Sequence, residues 1–253
     1  MLRSLFLTAA VGLCVAGPAL AQPASGINWT GPYVGVNLGY GGGSFGYPFS
    51  GTTDAAGTNP VDGAYHQRSS GIIGGGQAGY NFEMPNGVIA GIEADIDGTG
   101  IHGANGFTST TAAGTSTGGT RTDLDYLGTV RGRLGYAMFG GRVVPYVTGG
   151  FAYGQVDTNN SINCPACGTG GAAYSNLVST SDDRTGWTVG GGADYALSPH
   201  LSMRLEYLYA DLGHGTAADG ANEWATPGGD IYGADVGLHA KANLVRIGLN
   251  YRF

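Results

Sequence analysis

The side chains in this sequence that could do chemistry fall into three sets. Glu93 and Asp95, two carboxylates at i and i+2, have the make-up of an acid–base pair for glycoside hydrolysis. Cys164 and Cys167 form a C-x-x-C, the spacing of a redox pair or of half a zinc site. His66, His102, His214 and His239, with Asp211 and Asp230 near two of them, could supply the base of a nucleophilic mechanism. Each set is incomplete. There is no second cysteine pair to finish a zinc site, and Gly and Ala follow Cys167 where a redox pair wants a helix N-terminus. Ser and Thr occur throughout the histidine-bearing stretches, so no nucleophile is singled out and no catalytic residue is assigned. The glycine-rich runs "GYGGG" and "GGGQAGYNF" open no helix and are followed by no lysine, so neither is a phosphate loop.

The elements that hold these residues are strands. The chain ends in "LVRIGLNYRF", where Val245, Ile247, Leu249, Tyr251 and Phe253 alternate with Arg246, Gly248, Asn250 and Arg252. A period of two is a strand with one apolar and one polar face. The same period runs through "YVGVNLGY", "GIIGGGQAGYNF", "VIAGIEADI", "DLDYLGTVRGRLGYA", "VVPYVTGGFAYGQV", "GWTVGGGADYAL" and "LSMRLEYLYADL", giving eight strands and no amphipathic helix. On the fourth of these, Leu124, Tyr126, Val130, Leu134 and Tyr136 stand opposite Asp125, Thr129, Arg131 and Arg133. The connections near Met84, Gly140 and Pro199 are short. Those spanning 41–70, 98–121, 157–183 and 213–238 are long and rich in Gly, Ser, Thr, Ala and Asp.

The amino terminus is a leader. Arg3, an apolar run from Leu5 to Ala16, and Ala19-Leu20-Ala21 form the three parts of an export signal, cleaved before Gln22. Residues 1–21 are therefore assigned to the signal peptide and 22–253 to one β domain. With Arg3 removed, ten basic residues face eighteen acidic ones, which excludes nucleic acid as a partner for want of a basic patch. In an exported chain, Cys164 and Cys167 are expected to form a disulfide bracing a loop.

Export, an even strand count and connections that alternate short and long are the pattern of an all-β, eight-stranded, antiparallel up-and-down transmembrane barrel with four long extracellular loops. In such a barrel the apolar faces meet lipid and the polar faces line the lumen. The inward set is then Glu93, Asp95, Asp125, Arg131, Arg133, Asp194, Arg204, Glu206, Arg246 and Arg252. Eight strands leave a lumen that side chains fill, so these charges are expected to pair into a plug, and Glu93 and Asp95 sit where no sugar chain can enter. An ion or proton path is the competing reading.

The stretches "NWTGPYVGVNLGYGGG", "GGGQAGYNFEMPNGVIAGIEADI", "GTVRGRLGYAMFGGRVVPYVTGGFAYG", "GWTVGGGADYALSPHLSMRLEYLYADLG" and "RIGLNYRF" resemble the small outer-membrane β-barrels of alphaproteobacteria, the outer membrane immunogenic or porin-like surface antigens. Their barrel is similar to the membrane domain of OmpA. The resemblance implies residence in the cell outer membrane and contact with its lipid. It implies that Tyr251 and Phe253 belong to the signal read by the barrel-insertion machinery. It also implies a structural and surface-antigen role, with a narrow porin-like channel or a loop-borne receptor or adhesin for host or environmental ligands as alternatives. Related proteins are implicated in haem binding, for which His66, His102 or His214 are candidate ligands. From the residues themselves no cofactor, metal or enzymatic activity is expected. The loop acids, among them Asp54, Asp62, Asp157, Asp182, Asp183, Asp211, Asp219, Glu223, Asp230 and Asp235, outnumber the loop arginines Arg68, Arg121 and Arg184, making an acidic rim.

Overall fold

The computed structural model describes residues 27–52, 60–111, 114–168, 172–218, 224–226 and 229–253. The leader, with its cleavage junction, lies outside the described residues. Eight long strands follow the alternation: β1 (Gly31–Thr52), β2 (Pro60–Glu83), β3 (Val88–Thr111), β4 (Gly114–Tyr136), β5 (Val143–Gly168), β6 (Ala172–Ala196), β7 (Leu201–Ala218) and β9 (Gly229–Arg252). A ninth, the short β8 (Trp224–Thr226), pairs only with the start of β9. Each long strand pairs antiparallel with the next. The pairing of β1 with β9, from Tyr33↔Arg252 upward, closes the sheet into an eight-stranded barrel with no open edge.

Closure decides which way the faces point. Ile92 is 69% exposed while its neighbour Glu93 is 3% exposed, and the same inversion holds along Val34, Val36 and Leu38 and along Val245, Ile247 and Leu249. Exposed aromatics gather toward both ends of this apolar band. Tyr80, Phe82, Tyr136, Tyr195, Tyr251 and Phe253 lie near the short turns, and Tyr40, Phe151 and Trp187 lie farther up. These are the two girdles by which barrels sit in a bilayer.

The strands are 18 to 26 residues long, about twice the roughly 9–11 needed to cross a membrane. The four long connections are therefore β-hairpins over much of their length; the β3–β4 ladder, for example, runs on to Thr111↔Gly114. Small polar residues can continue a ladder because pairing satisfies each backbone N–H and C=O. At the opposite end, tight turns reverse the chain. Gly87, Phe139, Gly140 and Gly141 all have positive φ there.

The lumen is layered. At the short-turn mouth Trp29, Ile89, Val144 and Ala196 pack with Ile27 and Ala137. Next comes a layer of charges. Above it, fifteen buried apolar residues, including Ile73, Ile101, Leu127, Leu208 and Leu244, fill the barrel. Nearer the hairpin tips the interior turns polar again, with Gln67, Thr122, Asn160 and Arg184.

Candidate functional site in the barrel lumen

The charged layer is positioned by strand parity. Arg131 and Arg133 on β4, Glu93, Asp95 and Asp97 on β3, Asp194 on β6, Arg204 and Glu206 on β7 and Arg246 on β9 all point inward, and all are buried. The register brings them to one level, with Glu93 opposite Arg131, Asp194 opposite Arg204 and Glu206 opposite Arg246. Glycines make the room. A Cβ on Gly79 would lie 2.5 Å from the Tyr33 hydroxyl, and one on Gly192 2.8 Å from that of Tyr146. Both tyrosines could not lie across the lumen if those positions carried side chains.

The ion pairs form one connected network. Arg246 donates to Asp97 at 2.5 Å, to Asp95 at 3.0 Å and, through Nε, to Glu206 at 2.8 Å. Arg131 donates to Asp95 at 2.7 Å, to Glu93 at 2.6 Å and to Glu206 at 3.0 Å. Arg204 joins Glu93 to Asp194, reaching the latter through Nε at 2.8 Å, and Arg133 also binds Asp194. Tyr33 donates to Glu93 at 2.5 Å, Tyr146 to Glu206 at 2.8 Å and Thr129 to Asp95 at 2.8 Å. The Arg133 guanidinium lies 4.1 Å from the centre of the Tyr146 ring. Four guanidinium groups thus meet five carboxylates, each carboxylate with at least one charged partner. In a site this dry, that pairing offsets much of the cost of desolvation.

One inward assignment turns outward in the structure, and one inward charge lies outside the ion-pair network. Asp125 does not join the network. The β4–β5 register shifts between Leu124 and Tyr126, so Asp125 is the extra residue of a bulge and turns outward, while Leu124 is buried inside. One inserted residue reverses the parity of everything beyond it, and this displaced both assignments. On the outside, burial together with the nearby Asp157 and Asp123 pushes the Asp125 carboxyl pKa up. Arg252 does point inward, but no carboxylate holds it. Its guanidinium stacks 3.8 Å over the Trp29 ring, and Nη2 donates to the Pro199 carbonyl at 3.0 Å.

Asp97, Tyr33 and Tyr146 belong to the network although only charged residues inside the shorter strand spans were assigned to it. Asp97 has the parity of Glu93 and Asp95, so extending the third strand by one residue finds it. The apolar layer was equally legible. Leu208, Ala210 and Leu212 have the parity of Arg204 and Glu206, and Leu244 that of Arg246.

Of the remaining candidates, Tyr251 and Phe253 are exposed on the outer face with their rings 5.2 Å apart, and the Phe253 amide donates to the Pro32 carbonyl. Cys164 lies in β5 opposite Tyr174. The side chains of Cys164 and Cys167, and with them the expected disulfide, lie outside what the structure describes. His102 is exposed, and its Nδ1–H donates to the Gly100 carbonyl of its own strand, 2.8 Å away. His66, His214 and His239 lie together beyond the membrane band. Among the described residues no three His, Cys, Asp or Glu side chains already converge on one metal position.

A closed antiparallel barrel with lipid-facing aliphatics, two aromatic girdles and a charged lumen defines the class of integral outer-membrane barrels. Residues 7–253 match the outer membrane protein β-barrel domain, and the chain belongs to that family. It is 37% identical over 237 residues to the 31 kDa outer-membrane immunogenic protein of Brucella melitensis, covering 92% of this chain and 87% of that one. It is 25% identical to the 25 kDa outer-membrane immunogenic protein of Brucella abortus, covering 93% and 84%. Among solved structures it is similar to the outer membrane protein OprG from Pseudomonas aeruginosa, with 12% identity, 88% of this chain and 96% of that one covered, and a TM-score of 0.43. The protein is an outer-membrane β-barrel of a surface-antigen family.

Proposed function

We propose that the protein is a sealed structural barrel that supports outer-membrane integrity and carries its long hairpins as a polar, acidic surface face. The observation that carries this reading is the two-layer filling of the lumen. Arg131, Arg204 and Arg246 are among the largest fully buried side chains, and directly above them lies an apolar layer. A permeating ion would have to displace a guanidinium–carboxylate network in which every carboxylate has a charged partner, and then shed its water among Leu127, Leu208 and Leu244. Aqueous porins use about sixteen or more strands to leave room that eight do not. On the outer face some of the acids are paired, Asp123 with Arg121 at 2.9 Å and Asp211 with Lys241 at 3.8 Å, and others, such as Asp62, are simply exposed. That composition suits a hydrated, antigenic surface. No catalytic role is part of this reading, because no nucleophile–base pair was identified.

Planar-bilayer recording of the refolded, untagged protein tests the proposal. The expected result is no stable single-channel conductance. Steady openings on the nanosiemens scale of an open porin would overturn it in favour of the channel reading.

A further inference from the structure

Three of the five histidines come from distant parts of the sequence to one row on the outer surface of the barrel. Gly46 on β1 is opposite His66 of β2 on one side and His239 of β9 on the other, and His239 is opposite His214 of β7. All three imidazoles are on the outward face; His66 and His214 are exposed and His239 is half-buried. Gly46 leaves a gap in the row, and the neighbours close over it. A Cβ placed on Gly46 would lie 3.2 Å from His66 Nδ1 and 3.7 Å from the Cβ of His239. On the other side of His239, the His214 ring centre is 3.6 Å away at an interplanar angle of 73°.

We propose that His66, His239 and His214 form a surface site for a divalent transition-metal ion of the imidazole-binding kind, zinc or copper, with His239 and His214 as the directly opposed pair and His66 reaching toward them over Gly46 from two strands away. Imidazole nitrogen suits these ions, and the directly opposed His239 and His214 hold their side chains about 4.5–5.5 Å apart at Cβ, within reach of one ion, while His66 stands two strand spacings of roughly 4.8 Å from His239 and reaches across the gap at Gly46. The rings do not converge on a single point as they stand. Exposed side chains change rotamer in picoseconds to nanoseconds, so convergence needs only ring rotation and no movement of the sheet. His239 is the most enclosed of the three. The charged groups around it are Asp211 and Lys241, which pair with one another at 3.8 Å, and Arg68, two residues along β2 from His66. Asp211 is the carboxylate placed to offset the charge of a bound cation.

The test is titration of the refolded, untagged full-length mature chain in detergent micelles with zinc or copper chloride alone. One equivalent is expected to bind, more weakly as the medium is acidified, because protons compete with the metal for its ligands. His239→Ala should weaken binding at least about tenfold, and copper electron paramagnetic resonance should show nitrogen ligands lost in the same variant. Gly46→Thr keeps every imidazole but fills the gap. It is expected to weaken binding if His66 is a ligand and to leave it intact if His239 and His214 are the pair. Heat-modifiable gel mobility reports whether each variant is folded. Binding that His239→Ala leaves unchanged in the folded barrel, or no saturable binding at micromolar metal, overturns the proposal.

Discussion

Arg246 shows how much one side chain in the lumen holds. It donates to Asp97, Asp95 and Glu206 from three nitrogens and is almost fully buried. Without it Asp97 loses its charged partner, while Asp95 and Glu206 keep only Arg131; breaking a buried ion pair costs about 3–5 kcal/mol. Arg246→Leu is therefore expected to lower folding free energy by about that amount in vesicle titrations. Arg246→Lys should fall between the two, since a single ammonium cannot satisfy three carboxylates in a planar fork. Equal stability of Arg246→Leu and the parent would show that the network is not holding the barrel together. The same side chain illustrates what parity can reveal: Arg246 was legible as inward, while its three partners depended on register.

At the scale of the strand, the terminal β9 tests the inversion. Val245, Ile247 and Leu249 are exposed on one face, and Arg246 and Asn250 are buried on the other. If that face meets lipid, Ile247→Arg should cost roughly 2–4 kcal/mol near the bilayer midplane, measured by the same vesicle titration. Folding as stable as the parent's would mean that the face meets water. Most strand faces follow from alternation alone. β4 and β7 depart from it: in β4 the bulge at Asp125 inserts one residue, and the pattern beyond it, read without the partner strand, points Asp125 and Leu124 the wrong way, while in β7 a register shift between Asp211 and His214 turns His214 outward although it shares the parity of the buried Leu212.

For the whole molecule, the short-turn mouth is closed by a segment that belongs to no strand. Trp29 is 1% exposed, its Nε1 donates to the Gly141 carbonyl at 2.8 Å, and its amide donates to Glu83 at 2.9 Å. Its ring also covers Arg252 of the last strand, so residues just before the first strand and at the end of the last one meet in one place. Trp29→Ala removes a buried aromatic and uncovers a guanidinium with no carboxylate partner. It is expected to cost about 3–5 kcal/mol of stability in chemical denaturation. It should nonetheless leave bilayer conductance absent, because the charged and apolar layers above remain. Conductance appearing in this variant would show that Trp29 is the principal seal.

The period-two alternation and the alternating connection lengths by themselves determined an inverted barrel, because a two-residue repeat admits only two faces and only lipid rewards an apolar outside. They also determined most inward charges, since these share parity along each strand. What only the tertiary structure decided depends on register between strands. The partners of each arginine, the bulge that expels Asp125, the stacking of Trp29 on Arg252 and the row of His66, His239 and His214 across Gly46 all join residues distant in the chain. Backbone hydrogen bonds set those meetings, and a ladder that slips by one residue would undo every one of them.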